Sequence, residues 1–399
     1  MPSEEKQSSF SRRSFLQLSA AASAALALRA VTESELAYAA APNVVNRSAV
    51  MINANENPLG PCASAREAIE AMVPQGGRYR FDLSRELVKQ YAQSVGVPED
   101  HVAVFPGSSN PLHYTVMEFC SPKASLVTAD PTYEAGWRAA DGAGARVVKV
   151  PLTKAYAHDV KAMLAAAPDA GVFYVCTPNN PTGTLTSHSD VEYLLQNKPA
   201  KSVVLVDEAY IHFCDAPSTI DLVKAGKDIV VLRTFSKLYG MAGLRCGFAI
   251  ARPDLIEKLE SYGGGNAMPV AGVVAASASL SDTELVEKRK RINAEVRGEV
   301  FAWLDRNGYS YIPSVSNCFL LDTRRPAQQA IAAMVQQSVV IGRAWPSMPT
   351  YSRITVGTQE EMERFEVAFQ KVMSGTAVGA LREPRMGGYR ELDGYVVRV

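Results

Sequence analysis

Asp228-Ile-Val-Val-Leu232 runs directly into Arg233-Thr-Phe-Ser-Lys-Leu-Tyr-Gly-Met-Ala-Gly-Leu-Arg-Cys-Gly-Phe248. Residues 229–232 are a short apolar run of strand type. Behind it come Thr234, Ser236 and Lys237, a glycine-punctuated turn, and Arg245. A lysine at the mouth of a buried strand sits where desolvation lowers its pKa, and such a lysine makes a Schiff-base nucleophile. Ser236 and Arg245 offer a hydroxyl and a planar fork, groups that hold a phosphate. A lone lysine is usually a solvated surface charge. The whole run is far more specific than its lysine.

Outward from this stretch, short apolar runs recur at residues 102–105, 126–129, 147–150, 172–176, 203–206, 229–232 and 247–251. Helix-like segments or turns separate most of them. The alternation predicts a mainly parallel sheet covered on both faces. Ligands of such sheets sit at the strands' carboxyl ends, and the informative residues fall there. Pro106-Gly-Ser-Ser-Asn110 leads into an apolar helix, so Gly107, Ser108 and Ser109 are ready to bind phosphate. The same residues also read as a serine N-cap that needs no ligand. Asp130-Pro-Thr-Tyr133 and Cys176-Thr-Pro-Asn-Asn-Pro-Thr-Gly183 follow later runs. In Val204-Leu-Val-Asp-Glu-Ala-Tyr210 a carboxylate, Asp207, closes a buried strand, which is costly if it is unpaired. Upstream, Asn53-Ala-Asn-Glu-Asn-Pro-Leu-Gly60 is polar and turn-rich, and Gly76-Gly-Arg-Tyr79 breaks the chain before a helical run at residues 84–94. From about residue 269 the pattern changes. Helical stretches at 269–280 and 283–307 lead to apolar runs at 317–322, 339–341 and 353–358, with helices at 326–336 and 360–372.

These motifs, in this order, resemble the fold-type I pyridoxal-phosphate (PLP) enzymes, and among them the histidinol-phosphate aminotransferase-like branch of the class I/II aminotransferases. The resemblance covers about residues 50–372. It implies an α/β fold, a large domain with a mostly parallel seven-stranded sheet plus a small α/β domain, in a homodimer with shared active sites. Residues 42–74 would be an N-terminal arm and part of the small domain, 75–268 the large PLP-binding domain and 269–373 the small domain. Residues 374–399 lie beyond the family's usual end, and residues 395–399 read as a strand or a frayed tail.

The resemblance also implies the roles of residues. Lys237 would carry PLP and then serve as general base. Asp207 would keep the pyridine nitrogen protonated, Tyr133 would lie against the ring, and Asn180 and Tyr210 would meet the phenolic oxygen. Gly107, Ser108, Ser109, Thr234, Ser236 and Arg245 would hold the phosphate, with Tyr79 of the partner subunit. Asn55, Asn57, Arg343 and Arg353 would meet the substrate. Arg353 matches an arginine that clamps a carboxylate or a phosphate, and a bidentate fork suits either. The chain departs from the pattern where Arg80 and Phe81 follow Tyr79, and in the spacing of Arg343 to Arg353, with Trp345 between. Trp345 and Tyr79 motivate an aromatic or otherwise modified amino substrate. The expected reaction is amino transfer between an amino acid or related amine and a 2-oxo acid. Two alternatives share the motifs: PLP-dependent decarboxylation, racemisation or elimination, and a binding protein without turnover.

The composition suits a soluble chain of about two domains, with 399 residues, 47% hydrophobic and 21% charged. A formal net charge of zero gives no argument for nucleic-acid or anionic-membrane partners. The six cysteines are scattered without metal-ligand spacing, so no metal site is expected. At the N-terminus Ser11-Arg-Arg-Ser-Phe-Leu-Gln17 resembles a twin-arginine (Tat) export motif, with Gln for the common final Lys. An alanine-rich apolar run at 16–28, too short to span a bilayer, and A-x-A sites at Ala37-Tyr-Ala39 and Ala39-Ala-Ala41 complete the pattern of a signal peptide over residues 1–41. That implies the Tat machinery as a partner and a periplasmic location. A disordered extension is the alternative and leaves the chain cytoplasmic. Arg29, Glu33 and Glu35 depart from a tidy cleavage region. Tat moves folded proteins, which suits a chain that loads PLP before export.

Overall fold

The computed structural model describes residues 32–33, 35–36, 48–263, 268–375, 389–392 and 395–398. The twin-arginine motif, the apolar run behind it and the A-x-A sites lie outside the described residues. After a short β1 (Val50–Ile52), the expected runs appear as β2 (Val102–Phe105), β3 (Ser125–Asp130), β4 (Val147–Pro151), β5 (Ala170–Cys176), β6 (Val203–Asp207), β7 (Ile229–Thr234) and β8 (Gly247–Ala251). These seven form one sheet in the order β2-β8-β7-β6-β5-β3-β4. β8 runs antiparallel to both its neighbours, and the other pairings are parallel. The exception has a local cause. Residues 235–246 join β7 to β8 with nothing longer than a 3-10 turn at Ala242–Leu244, whereas a parallel crossover usually carries an α-helix.

The strands are rich in β-branched residues, and period 2 divides them between two cores. Val204 and Val206 pack with Phe173, Val175 and Val231 on one face. Val203 and Leu205 pack with Val172, Tyr174, Val230 and Leu232 on the other. Each such side chain contributes roughly 1.5–3 kcal/mol by leaving water. A sheet held this firmly gives a rigid rim at its carboxyl edge.

The smaller layer pairs β1 in parallel with β10 (Val339–Ile341), and β9 (Cys318–Asp322) antiparallel with β11 (Tyr351–Thr355). Helices Leu285–Arg306, Ala327–Gln336 and Gln359–Met373 accompany them, and Phe319, Leu321, Ile354, Phe365 and Phe369 fill the core. The last helix opens with a full capping box between Thr358 and Glu361. One boundary shifts. Helix Val270–Ser281, grouped with the small domain on sequence, buries Val273, Ala275 and Ala276 in the large core beside Leu87 and Tyr91. In the tail, β12 (Tyr389–Leu392) pairs antiparallel with β13 (Tyr395–Arg398). Among the described residues no helix is long and apolar enough to cross a membrane.

Candidate active site

The turn after β2 has Gly107 at φ +89°, and a Cβ there would collide with the Arg245 guanidinium. Glycine therefore lets the arginine lie directly on the turn. Ser108 and Ser109 follow at the start of helix Ser109–Phe119, whose first N–H groups lack intrahelical partners. Across from them Thr234 Oγ1 donates to Ser236 Oγ at 2.9 Å, and Arg245 Nη1 reaches the same oxygen at 3.4 Å. Arg245 is tied to the carbonyls of Ala242 (2.9 Å) and Pro106 (3.2 Å), and no carboxylate pairs with it among the described residues. Burial lowers its pKa. A fixed guanidinium, hydroxyls and a helix N-terminus, with no anion of the chain's own, fit a phosphate group.

The same cavity also carries a buried carboxylate. Asp207 closes β6 and is 3% exposed. Tyr174 donates its hydroxyl to Oδ2 (3.1 Å) and the Ala209 N–H donates to Oδ1 (3.1 Å). Burial nevertheless pushes the carboxyl up to about 6, against the pull of those two bonds and of Lys237. Such a carboxylate wants a cation, and a protonated ring nitrogen is one. Lys237 lines the same cavity; its Nζ donates to the Ala54 carbonyl at 3.4 Å and sits 5.6 Å from the centre of the Tyr210 ring. Burial lowers its pKa, with Glu33 opposing and Arg353 assisting. The cavity, about 190 Å3, thus brings a phosphate cradle, a lysine and a carboxylate together. That donor set fits PLP.

A third group of side chains lies toward β11. Arg353 is fully buried. Its Nη1 donates to Asn180 Oδ1 (2.8 Å), and its Nη2 donates to the Asn53 carbonyl (2.6 Å) and to Glu33 Oε1 (2.6 Å). Arg343 donates to the same Glu33 oxygen from Nη1 (2.9 Å) and to Glu134 Oε2 from Nη2 (2.7 Å). The Trp345 indole carries both cations, 4.6 Å from the Arg343 guanidinium carbon and 5.6 Å from that of Arg353, and its N–H donates to the Thr132 carbonyl (3.1 Å). Burial would raise the Glu33 pKa, but Arg343, Arg353 and Lys237 outweigh it and hold the carboxyl at about 2.

Most of the expected site residues therefore come together. Ser108, Ser109, Tyr133, Asn180, Asp207, Tyr210, Thr234, Ser236, Lys237 and Arg245 line one cavity. Three expectations change, those for Asn55, Asn57 and Trp345. Asn55 stands behind the wall, where Nδ2 donates to Tyr210 Oη at 2.9 Å, so it positions the tyrosine and does not face the cavity. Asn57 donates to the Leu238 carbonyl (2.8 Å) and also stays out of the cavity, tying the arm to the lysine turn. Tyr79, expected at the other subunit's site, is 72% exposed, stacks on Phe81 at 5.7 Å and stays out of its own chain's cavity. Trp345 is buried beneath the arginines, so it is no wall for an aromatic substrate.

Three participants went unread in the sequence: Tyr174, Glu134 and Glu33. Tyr174 carries a weak signal, since it shares a sheet face with Cys176, two residues on. Glu33 carried one in its misfit to a signal peptide's cleavage region. No cluster of metal-ligating side chains occurs among the described residues.

Comparison with known proteins agrees with this geometry. The family described as Aminotransferase class I and II matches residues 48–369. The chain is 34% identical over 327 residues to a histidinol-phosphate aminotransferase of Symbiobacterium thermophilum, covering 81% of this chain and 90% of that one. It is equally 34% identical, over 333 residues, to an aromatic amino acid aminotransferase of Cutibacterium acnes, covering 82% and 94%. The crystal structure of histidinol-phosphate aminotransferase from Sinorhizobium meliloti in complex with pyridoxal-5'-phosphate superposes with a TM-score of 0.78 at 25% identity, covering 93% of this chain and all of that one.

Proposed function

The chain belongs to the class I and II aminotransferases and is a PLP-dependent transaminase, and on that premise we propose that its amino donor is an amino acid with a single carboxylate, seated on Arg353. The observation that carries this reading is the state of the two arginines. The Arg353 fork is preset by Asn180 and Asn53, whereas Arg343 is held by Glu134. Two guanidiniums less the Glu134 carboxylate leave one net positive charge for the anion that takes the place Glu33 fills here. A monocarboxylate matches it. A phosphate ester, carrying about −1.5 to −2 at neutral pH, does not.

Ser108, Ser109, Ser236 and Arg245 would hold the cofactor's phosphate, Tyr133 would flank the ring, Asp207 would face its nitrogen, and Lys237 is the attachment point. PLP, when bound, supplies an electron sink for the charge left when the α-proton departs. The rest falls to the chain's own groups. The Lys237 ε-amine, its pKa lowered by burial, takes and returns that proton. Asn55 keeps the Tyr210 hydroxyl aimed across the cavity. Arg353 fixes the donor's carboxylate and so decides which bond at the α-carbon faces Lys237.

The test is a panel of L-amino acids and histidinol phosphate, given one at a time to the purified holoenzyme without an acceptor. The keto or aldehyde product is identified by mass. A monocarboxylic amino acid is expected to convert the bound cofactor with the highest second-order rate constant. A higher value for histidinol phosphate, or release of carbon dioxide in place of a 2-oxo acid, would overturn the reading.

Two further proposals concern context. Residues 1–41 direct export to the periplasm, supported by the twin-arginine motif and the A-x-A sites. The replacement of Arg12 and Arg13 by Lys should leave the protein in the cytoplasm, and N-terminal sequencing of exported protein should begin at Ala40 or Pro42. The chain acts as a homodimer in which the exposed Tyr79 completes the site of the other subunit. Sedimentation should give twice the chain mass, and Tyr79→Phe should weaken PLP binding. A monomer with full affinity would refute this.

A further inference from the structure

Glu33 lies in the stretch assigned on sequence to the signal peptide, yet its carboxylate occupies the anion position of the active site. One oxygen bridges Arg353 (2.6 Å) and Arg343 (2.9 Å), and the other is 3.5 Å from Asn180 Nδ2. Its side chain is 13% exposed. The segment carrying it has a structure of its own. The Thr32 N–H donates to Glu35 Oε2 (2.9 Å), the Glu35 N–H reaches Thr32 Oγ1 (3.4 Å), and the Leu36 N–H donates to the Thr32 carbonyl (3.2 Å). This reciprocal pair is a capping box, which sets the turn that aims Glu33. Leu36 then packs against the apolar core on one face of the large sheet. A carboxylate between two forks, a capped turn and an apolar anchor are the parts of a docked ligand.

We propose that residues 32–36 are a tethered carboxylate ligand of the substrate's anion site, so that the full-length chain is latent until the segment is removed or displaced. The proposal rests on Arg353 being the substrate anchor. A substrate carboxylate and the Glu33 carboxylate need the same donors of Arg353 and cannot both have them. Because the segment belongs to the same chain, it competes at the millimolar effective concentration of a short tether. Cleavage at either A-x-A site removes Glu33 with the leader, so the same cut that matures the chain opens the anion site.

The test uses the full-length holoenzyme and two variants. Glu33→Gln removes the charge. Leu36→Ala keeps the charge and loosens the anchor. Both should lower the KM for the amino donor, by about tenfold for Glu33→Gln. Both should also tighten binding of 3-phenylpropionate, a carboxylate that cannot react, as measured by calorimetry. A synthetic peptide of residues 31–37 should inhibit the Glu33→Gln enzyme competitively with the donor, and the same peptide with Gln at position 33 should not. Unchanged KM and unchanged 3-phenylpropionate affinity in both variants would overturn the proposal. Arg353→Lys, made in the Glu33→Gln background, separates the two ideas. If it raises KM while Glu33→Gln alone changed nothing, the anchor stands and the tether fails. If it leaves KM unmoved, the anchor itself fails.

Discussion

At the scale of single residues, Asp207 carries the sharpest tension. Burial holds its carboxyl at about 6, above the ordinary 3.8. A carboxyl raised on folding binds its proton more tightly in the folded chain, so the cofactor-free protein loses stability as pH rises from about 4 to about 6. Asp207→Asn escapes that loss. The variant, stripped of cofactor, should match the parent below pH 4 and exceed it by up to about 3 kcal/mol above pH 6, read by denaturant titration across pH. In the holoenzyme the same change should lower kcat by about 100- to 1000-fold, because the charge facing the ring nitrogen is gone. Tyr174→Phe deletes a hydrogen bond that opposes the upward shift, so the stability loss should still begin near pH 4 but continue to higher pH and grow larger. Lys237 and Asp207 were legible because each closes an apolar run and stands inside a contiguous motif. Tyr174, Glu134 and Glu33 were not. Their partners lie 33, 209 and 310 residues away, and no local pattern encodes a contact over that distance.

At the scale of elements, the sheet was readable because its strands are unbroken apolar runs, the mark of strands covered on both faces. The large domain's extent was harder to read. Helix Val270–Ser281 follows the last strand, yet its sequence, Val-Ala-Gly-Val-Val-Ala-Ala-Ser-Ala-Ser-Leu-Ser, is apolar or small on all sides. A helix of that kind is buried, and its composition was a better guide than its place in the chain. The turn at Gly107 gives an element-scale prediction. Gly107→Ala forces a Cβ into the Arg245 guanidinium at a positive φ, a strain of about 1–3 kcal/mol. PLP affinity should fall about 10- to 100-fold, measured by equilibrium dialysis, with the fold intact by circular dichroism. The opposite case is Gly298, inside helix Leu285–Arg306, where an added Cβ meets nothing within 4 Å. Gly298→Ala should raise stability by about 0.5–1 kcal/mol, seen as a higher midpoint in urea.

At the scale of the whole molecule, the anion site is a meeting of distant stretches. Glu33 comes from the extreme N-terminal side, Glu134 and Asn180 from the connections after β3 and β5, and Arg343 and Arg353 from the small layer. Donor binding therefore couples the two layers, and a carboxylate ligand should slow hydrogen exchange in β10 and β11 together with the turn after β5. The chain contains three tryptophans, and one of them, Trp345, lies under both arginines. Anything that lands on or leaves those cations changes the electric field across its indole. The protein thus carries its own optical gauge of occupancy, and Trp345 emission, isolated by replacing Trp137 and Trp303 with Phe, would report in real time when the Glu33 carboxylate gives way to another anion.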